Sequence, residues 1–395
     1  MADQVVTTYL NQSGYEGFKA AVFTTEMIGY YIYKETPGGA LRYRKTTDGG
    51  SSWSGAITIS GGSNATVLSV WYDRWTPGDD TGTKIHIVHA GGPGNNFAMV
   101  YATLDTAGDV ALAGPLLVNA VHSAGQTTVG IVKARNGNLY VFGKYGTGNW
   151  RLRRSIDGGA TWTTRATFDS TFMDCFAIEP GNESDSADFW IFFTRPSSGQ
   201  MEMQAYFNAT DTWSSLVVVF DSGGTGPIVD QRMNTVTRRS NNFTYMAFTT
   251  GLGNGDQLRV FRIESRATIV TLPTIVSGAF SQHISITLNP IANHLYVVRM
   301  DINGNIYYYR STDLGSTWDA AVLIPSAGPY TGTIGTRLSP ILASGGRFYP
   351  FWANQDTSTV RTLRANFTTS IVLAPPAPPS GLGGAGAAKA LLDLF

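Results

Sequence analysis

Short runs that alternate between apolar and polar residues recur along most of the chain. Examples are Leu-Tyr-Val-Phe at 139–142 and Leu-Tyr-Val-Val-Arg at 295–299, and turn residues such as Asn136-Gly137 separate the runs. A period of two is typical of strands that bury one face, and Asn-Gly between two such runs is typical of a tight hairpin. The pattern therefore predicts an all-β chain of many short strands, with no helix before residue 380.

One turn-like motif recurs in step with these strands. Its form is Ser/Thr-x-Asp-x-Gly-x-Ser/Thr-Trp, and its three copies occupy residues 46–53, 155–162 and 311–318. The copies begin 109 and 156 residues apart, close to two and three repeats of about 53 residues, a length in the range of propeller blades. Four degenerate copies fill the intervals, around Asp105, Asp211, Glu264 and Asn366. The spacing predicts a single seven-bladed β-propeller, with six blades as the alternative.

The repeat divides the chain into three segments, of which residues 1–373 are the predicted propeller. The stretch Val5–Leu10 precedes the first unit, and we expect it to add a strand to the last blade, because ring closure removes two exposed sheet edges. Residues 374–386 are rich in proline and glycine, which is typical of a linker. Residues 387–395 are mostly apolar and can form a short helix that docks on a partner.

Each residue type in the motif has a structural task in a turn between the third and fourth strands of a blade. We expect the aspartates to accept backbone hydrogen bonds, the glycines to adopt positive φ and the tryptophans to pack between blades. The residues concerned are Asp48, Gly50 and Trp53, then Asp157, Gly159 and Trp162, then Asp313, Gly315 and Trp318.

The three copies resemble the Asp-box (BNR) repeats of the sialidase superfamily, and the resemblance spans about residues 10–373 as a repeat pattern. It implies a β-propeller that binds glycans or acts on them. The Arg-Ile-Pro motif of sialidases is absent from the unit before the first copy. The arginine triad, tyrosine nucleophile and acid of that family are therefore not assigned to residues of this chain.

Composition excludes several classes of function. Lys+Arg and Asp+Glu are both 28, so the net charge is zero and the chain lacks the basic balance of nucleic-acid or anionic-membrane binders. No stretch approaches the roughly 20 apolar residues that span a bilayer, and no signal-peptide pattern begins the chain.

The only cysteine is Cys175, so no intrachain disulfide is possible. We expect a protein made in a host cytoplasm and placed in a virion, with a cytoplasmic protein as the alternative.

A ligand site in a propeller is expected where the loops entering the innermost strands meet the loops between second and third strands. Polar and aromatic residues predicted there suit sugar recognition; they are His122, Gln126, Asp230, Arg232, Gln282, His283, Tyr330, Arg337, Tyr145 and Trp150. Asp174 and Asp230 are the candidates for the two carboxyl groups of glycoside hydrolysis. The alternatives are ordinary solvated loop residues and, for Asp230 with Arg232, a structural ion pair.

No metal or cofactor is predicted. His86 and His89 lie three apart on a strand and so point to opposite sides. Neither the pair Asp79-Asp80 nor the acidic run at 182–188 has the spacing of a calcium loop, and we expect both to lie in solvated edge loops.

Three functional hypotheses follow. The first is a non-enzymatic carbohydrate-recognition or decoration propeller on a tailed-phage virion, tethered to other virion proteins through residues 387–395 and serving host recognition. The second is a sialidase-like glycoside hydrolase acting on surface glycans. The third is a structural protein without a ligand.

Overall fold

The computed structural model is built almost entirely of antiparallel β-strands, which confirms the all-β prediction. Within the described part of the chain, the only helical segment is a short 3-10 turn at Asp73–Trp75. The structure describes residues 4–10, 21–25, 27–34, 40–60, 68–90, 99–118, 129–145, 149–165, 176–182, 186–195, 199–221, 233–238, 240–250, 257–278, 280–289, 293–301, 303, 305–324, 338–339, 351–355 and 360–365.

The strands are numbered in chain order, beginning with β1 (Gln4–Leu10). Blades 1 to 3 follow, each given from its first strand to its last. Blade 1 contains β2 (Ala21–Phe23), β3 (Gly29–Lys34), β4 (Leu41–Thr46) and β5 (Ile57–Ser60). Blade 2 contains β6 (Leu68–Tyr72), β7 (Lys84–Ala90), β8 (Met99–Asp105) and β9 (Val110–Val118). Blade 3 contains β10 (Val129–Lys133), β11 (Leu139–Tyr145), β12 (Asn149–Ser155) and β13 (Thr163–Thr164).

Blades 4 and 5 each have a fourth strand interrupted into two pieces. Blade 4 contains β14 (Phe176–Pro180), β15 (Phe189–Arg195), β16 (Gln200–Phe207), β17 (Thr212–Trp213) and β18 (Val217–Asp221). Blade 5 contains β19 (Met233–Thr237), β20 (Thr244–Thr250), β21 (Gln257–Ile263), β22 (Ile269–Thr271) and β23 (Val276–Ser277). Both pieces pair with the third strand, β16 or β21. Blade 6 contains β24 (Phe280–Asn289), β25 (His294–Asp301), β26 (Ile306–Ser311) and β27 (Val322–Ile324).

Blade 7 joins the two ends of the propeller. It contains β28 (Leu338–Ser339), β29 (Phe351–Gln355) and β30 (Val360–Ala365), and β1 pairs with β30 from Gln4↔Ala365 to Leu10↔Val360. The described strands thus form seven sheets, whose first strands lie beside one another from β6 to β28. The β-propeller and the closing strand predicted from Val5–Leu10 are both confirmed.

The second and third strands share a register that makes the blades comparable. Each second strand of blades 1, 3, 5 and 6 carries a tyrosine with no exposed surface, and each tyrosine lies opposite a basic residue of the third strand. The pairs are Tyr30↔Lys45, Tyr140↔Arg154, Tyr245↔Arg262 and Tyr296↔Arg310. In blade 4 the equivalent pair is Trp190↔Ala205. Positions counted from these pairs are therefore equivalent between blades.

The hydrophobic core lies between blades, as expected where each sheet buries both faces against its neighbours. One cluster joins Tyr43 and Ile59 of blade 1 to Ile85 and Leu104 of blade 2. A second joins blades 2, 3 and 4 around Trp150, and a third joins blades 4, 5 and 6. The buried side chains of a strand alternate between these clusters, so each strand contacts the blade before it and the blade after it.

Three turns connect third to fourth strands with one hydrogen-bond pattern; we call residues 46–53, 155–162 and 311–318 the Asp-Gly turns. In the second, Asp157 Oδ1 accepts from Ser155 Oγ at 2.7 Å and from the Thr161 amide at 2.9 Å. Asp157 Oδ2 accepts from Thr161 Oγ1 at 2.5 Å, and Ser155 Oγ accepts from the Gly159 amide at 2.8 Å. The other two turns repeat each bond.

These hydrogen bonds stabilise the ionised aspartate. The side-chain and backbone donors of Thr161 lower the pKa of Asp157 to about 2, and Asp48 and Asp313 are also shifted below their usual pKa. Each turn has two consecutive residues at positive φ, which glycine adopts without strain; in the third turn the first of them is Leu314 at 58°.

The tryptophans that end the turns are all half-buried. The ring of Trp162 lies edge-on to Tyr101 of blade 2, with centroids 5.1 Å apart, and Trp318 packs against the cluster shared by blades 4 to 6. The ring of Trp53 lies edge-on to Phe23 of its own blade, with centroids 6.5 Å apart.

Candidate functional site

Most residues predicted to form a ligand site lie outside the described residues. They are His122, Gln126, Asp174, Asp230, Arg232, Tyr330 and Arg337. His283 and Gln282 belong to β24 and Tyr145 ends β11, but the structure does not describe their side chains. Trp150 is buried in the core and stacks on Phe142 with ring centroids 5.1 Å apart. The expectation that the Trp150 ring faces a ligand is therefore wrong.

The two ends of the third strands lie on opposite faces of the propeller. We call the end where they run into the Asp-Gly turns the turn face, and the opposite end, where they begin, the loop face. In blades 1, 3 and 5, the basic residue opposite the buried tyrosine is preceded, three residues earlier on the third strand, by an arginine. This arginine lies near the loop face. These residues are Arg42, Arg151 and Arg259, and each is half-buried. They lie four residues before the last residue of the strand, about 14 Å along it.

The three arginines also point in the same direction. In β12, Trp150 and Leu152 are buried in the core, and Trp150 stacks on Phe142, which contacts Trp213 of blade 4. Because side chains alternate along a strand, Arg151 faces the preceding blade 2. The same alternation turns Arg42 toward blade 7 and Arg259 toward blade 4. Each arginine therefore lies at the junction of its own blade with the preceding one.

The blade 4–blade 5 junction has the most completely described geometry. The Arg259 guanidinium donates from Nε to Gln257 Oε1 at 2.7 Å, and Nη2 donates to the same oxygen. Its Cζ lies 5.5 Å from the centroid of the Phe220 ring on β18 of blade 4. The backbone amide of Gln257, at the start of β21, donates to Thr250 Oγ1 at the end of β20, at 3.0 Å. The side-chain oxygen of Gln257, a neutral amide, thus holds the guanidinium beside an aromatic ring.

Blade 6 places an arginine at the same level from its second strand. The position equivalent to Arg259 is Tyr307, and Arg299 lies directly opposite it in the sheet. Arg299 Nε donates to Tyr309 Oη at 2.9 Å, and its Cζ lies 5.0 Å from the Tyr307 centroid and 5.7 Å from that of Tyr309. We call Arg42, Arg151, Arg259 and Arg299 the junction arginines.

The blade 3–blade 4 junction carries acids at this level instead. Glu202 takes the position of Arg259, three residues before Ala205, and is buried. Gln200, next to it on the same side of β16, donates to Asp221 Oδ2 at 2.8 Å. The loop face therefore has junctions of opposite charge.

A buried ionic network joins blades 2 and 3 near the turn face. His86 Nε2 lies 2.9 Å from Asp73 Oδ1 and His86 Nδ1 lies 2.6 Å from Tyr101 Oη. Lys133 Nζ lies 2.6 Å from Asp73 and from Asp79. Burial lowers the pKa of His86, whereas hydrogen bonds from His86 and Lys133 outweigh burial and hold the pKa of Asp73 well below its usual range. Asp79, which the sequence placed in a solvated loop, is thus part of a structural network.

A second buried carboxylate joins blades 4 and 5. Glu179 accepts from Thr235 Oγ1 at 2.8 Å and from Thr237 Oγ1 at 2.9 Å. Asp73 and Glu179 are both engaged in contacts between blades, so neither is placed to protonate or attack a substrate. Within the described ranges, no group of three or more His, Cys, Asp or Glu side chains is arranged to hold a metal ion. The described residues likewise include no helix with the length and hydrophobicity to span a membrane.

Comparison with known proteins defines the class of fold. No family model matches the chain, and no curated protein matches it. Solved structures do: the BP39L lectin from Burkholderia pseudomallei aligns with a TM-score of 0.59 at 12% identity, covering 94% of this chain and 99% of that one. An ulvan lyase of a new polysaccharide lyase family aligns with a TM-score of 0.56 at 14% identity, covering 92% and 94%. At these identities the similarity shows the β-propeller fold alone.

A third similar structure is a variant of AofleA from Arthrobotrys oligospora, with a TM-score of 0.51 at 14% identity over 80% of this chain and 90% of that one.

The junction arginines were missed by reasoning from the sequence. One signal was present: Arg42 and Arg151 each lie four residues before the first residue of a motif copy. The signal is interrupted, because the third copy has Tyr307 at that position and blade 5 has only a degenerate copy.

Proposed function

We propose that this chain is a carbohydrate-binding propeller that holds glycans at its blade junctions on the loop face without cleaving them. The observation that carries the proposal is the Arg259 guanidinium, held by Gln257 against Phe220 at a half-buried position between two blades. Carbohydrate sites combine a few fixed polar groups with apolar surface, because hydroxyls need oriented hydrogen-bond partners and the sugar C–H faces need contact area. The names of a lectin and a polysaccharide lyase among the proteins of similar fold agree with the proposal.

A binding role is preferred to hydrolysis because of where the described carboxylates lie. Asp73 and Glu179 are committed to contacts between blades, and at the blade 3–blade 4 junction Glu202 is buried and Asp221 accepts a hydrogen bond from Gln200. A glycosidase needs two carboxyl groups that flank the bond to be cleaved, and the candidates for that task, Asp174 and Asp230, lie outside the described residues. The sialidase-like alternative therefore rests on the sequence resemblance.

The experiment is a glycan array screened with the wild-type chain and with Arg259→Gln. The control is Arg135→Gln, which removes one exposed positive charge from the β10–β11 hairpin on the turn face. We expect a set of glycans to bind the wild type and the control, and to bind Arg259→Gln at least about tenfold more weakly, as for loss of a charged hydrogen-bond donor. Binding of no glycan contradicts the proposal.

A panel of fluorogenic glycosides tests the alternative on the same preparations. Turnover by the wild type that disappears in Asp230→Asn would replace the binding role with a hydrolase. No turnover is the expected result.

A second proposal concerns the particle in which the propeller is located. We propose that residues 387–395 tether the propeller to other proteins of a tailed-phage virion, which would place the loop face toward host surface glycans. Support comes from the sequence alone, namely the Pro/Gly-rich linker at 374–386 followed by an apolar peptide. Immunogold labelling of purified particles, compared with a deletion of residues 387–395, tests this; labelling that survives the deletion contradicts the tether.

A further inference from the structure

The charge of Arg259 is not balanced by a carboxylate of the described residues. Its described partners are the amide oxygen of Gln257 and the ring of Phe220. Arginines nearer the turn face behave differently: Arg262 Nη2 lies 2.6 Å from Glu264 and Arg310 Nε lies 2.6 Å from Asp319. Two arginines of one strand, three residues apart, thus have different surroundings. Arg262, near the turn face, pairs with a carboxylate, whereas Arg259, near the loop face, contacts the uncharged side chains of Gln257 and Phe220.

A half-buried guanidinium without an acid has a specific ligand preference. Its planar N–H groups match the oxygens of a carboxylate or a sulfate ester, and such charge-assisted bonds are about twice as strong as neutral ones. Removal from bulk water strengthens the attraction further, since the local dielectric constant is lower. Gln257 and Phe220 fix the guanidinium before a ligand arrives, which reduces the entropy lost on binding.

The same level of the loop face carries a positive charge at several other junctions. Arg42 lies at the junction of blades 7 and 1, Arg151 at that of blades 2 and 3, and Arg299 at that of blades 5 and 6. A linear polymer with regularly spaced anionic groups can contact more than one of these positions, and each further contact is then intramolecular. A monosaccharide gains nothing from this arrangement.

We propose that the junction arginines bind the carboxylate or sulfate groups of an acidic polysaccharide, with one chain of the polymer engaging more than one junction. This inference rests on the proposed function and names its ligand class. The neutral net charge of the protein means that such binding depends on the local placement of arginines rather than on a general attraction of polyanions. The acidic junction formed by Glu202 and Asp221 is expected to stay empty.

The test uses polymers that differ only in charge. Dextran sulfate is compared with dextran, and polygalacturonate with its methyl-esterified form, by isothermal titration calorimetry on the full chain. Oligomers of increasing length test the engagement of several junctions. The variants are Arg259→Gln, Arg151→Gln and the double variant; the controls are Arg135→Gln on the turn face and Asp221→Asn at the acidic junction. Circular dichroism establishes that each variant is folded.

We expect at least one polyanion to bind and its neutral partner not to bind. Arg259→Gln and Arg151→Gln should each raise Kd about tenfold, the double variant should raise it further, and affinity should rise with oligomer length. Both controls should leave Kd within about twofold, with Asp221→Asn tighter rather than weaker.

The remaining outcomes overturn the inference in distinguishable ways. Equal binding of charged and neutral polymers overturns the acidic ligand class but leaves carbohydrate binding intact. An equal loss in Arg135→Gln and Arg259→Gln shows non-specific attraction of polyanions and overturns the junction site. Affinity independent of oligomer length overturns the engagement of several junctions. Binding of no polymer and no array glycan removes the proposed function together with the inference.

Discussion

Gly159, in the Asp-Gly turn of blade 3, lies directly against the ring of Tyr101 in blade 2. A Cβ added at Gly159 would overlap the phenol ring, and the residue has a φ of 98°. We predict that Gly159→Ala lowers the free energy of unfolding by about 2–4 kcal/mol, because overpacking and a disfavoured φ both contribute. Urea unfolding monitored by tryptophan fluorescence measures the change.

The neighbouring glycine provides the control for this prediction. Gly158 has a φ of 69°, and nothing lies within 4 Å of an added Cβ. Gly158→Ala should therefore cost only the backbone strain, about 1 kcal/mol. Equal losses in the two variants would show that the turn does not pack against blade 2 as described.

The carboxylate of Asp157 should make the Asp-Gly turn sensitive to acid. Its pKa is about 2 in the folded protein against an ordinary value of 3.8. A group whose pKa is lowered by folding stabilises above its unfolded pKa and loses that contribution as pH falls. The wild type should therefore lose stability between about pH 4 and 2, and Asp157→Asn should start less stable but lose less over that interval. Parallel curves from pH-dependent urea unfolding would contradict this role.

Asp73 is predicted to be among the most sensitive side chains of the blade 2–blade 3 junction. Asp73→Ala leaves His86 and Lys133 without their shared partner. Removal of one partner of a buried ion pair lowers the free energy of unfolding by about 3–5 kcal/mol. Asp80→Ala changes an exposed aspartate in the nearby loop and should stay within about 0.5 kcal/mol of the wild type. Thermal unfolding of both variants tests the contrast. A loss of stability in Asp73→Ala as small as that in Asp80→Ala would contradict the network.

His86 should add a second pH dependence at a higher range. Burial lowers its pKa below the usual 6.5, despite Asp73. Below about pH 6.5, His86 therefore binds a proton in the unfolded chain more readily than in the folded chain. The free energy of unfolding consequently falls as the pH drops below about 6.5. His86→Gln should flatten the stability curve between pH 6.5 and 5. An unchanged slope in that variant would show that His86 is not the group responsible.

The sequence was sufficient for the fold because the fold is local and repetitive. Each strand could be recognised from its own alternation, as in 139–142, and each turn from its own motif. The closing strand could also be predicted, because the unpaired stretch Val5–Leu10 and the open edge of the last blade each need a partner.

The junction site could not be predicted in the same way. Whether Arg259 and Arg151 are equivalent depends on strand register, and blade 5 lacks a clear motif copy from which to count. One of the uncharged side chains that contact Arg259 is Phe220 from another blade, and no local pattern predicts such a contact. Trp150 shows the converse error, since its place beside a predicted ligand loop suggested exposure, whereas Phe142 and the core cover it.

Carbohydrate binding at the blade 4–blade 5 junction is the property on which the proposed function depends most. The most direct test is the Kd of the tightest array glycan, measured by calorimetry for the wild type, Arg259→Gln and Arg262→Gln. Both variants lose an arginine from β21, but Arg262 is paired with Glu264 near the turn face. We expect Kd to rise about tenfold or more for Arg259→Gln and less than about twofold for Arg262→Gln. Equal Kd values for the wild type and Arg259→Gln would contradict carbohydrate binding at this junction.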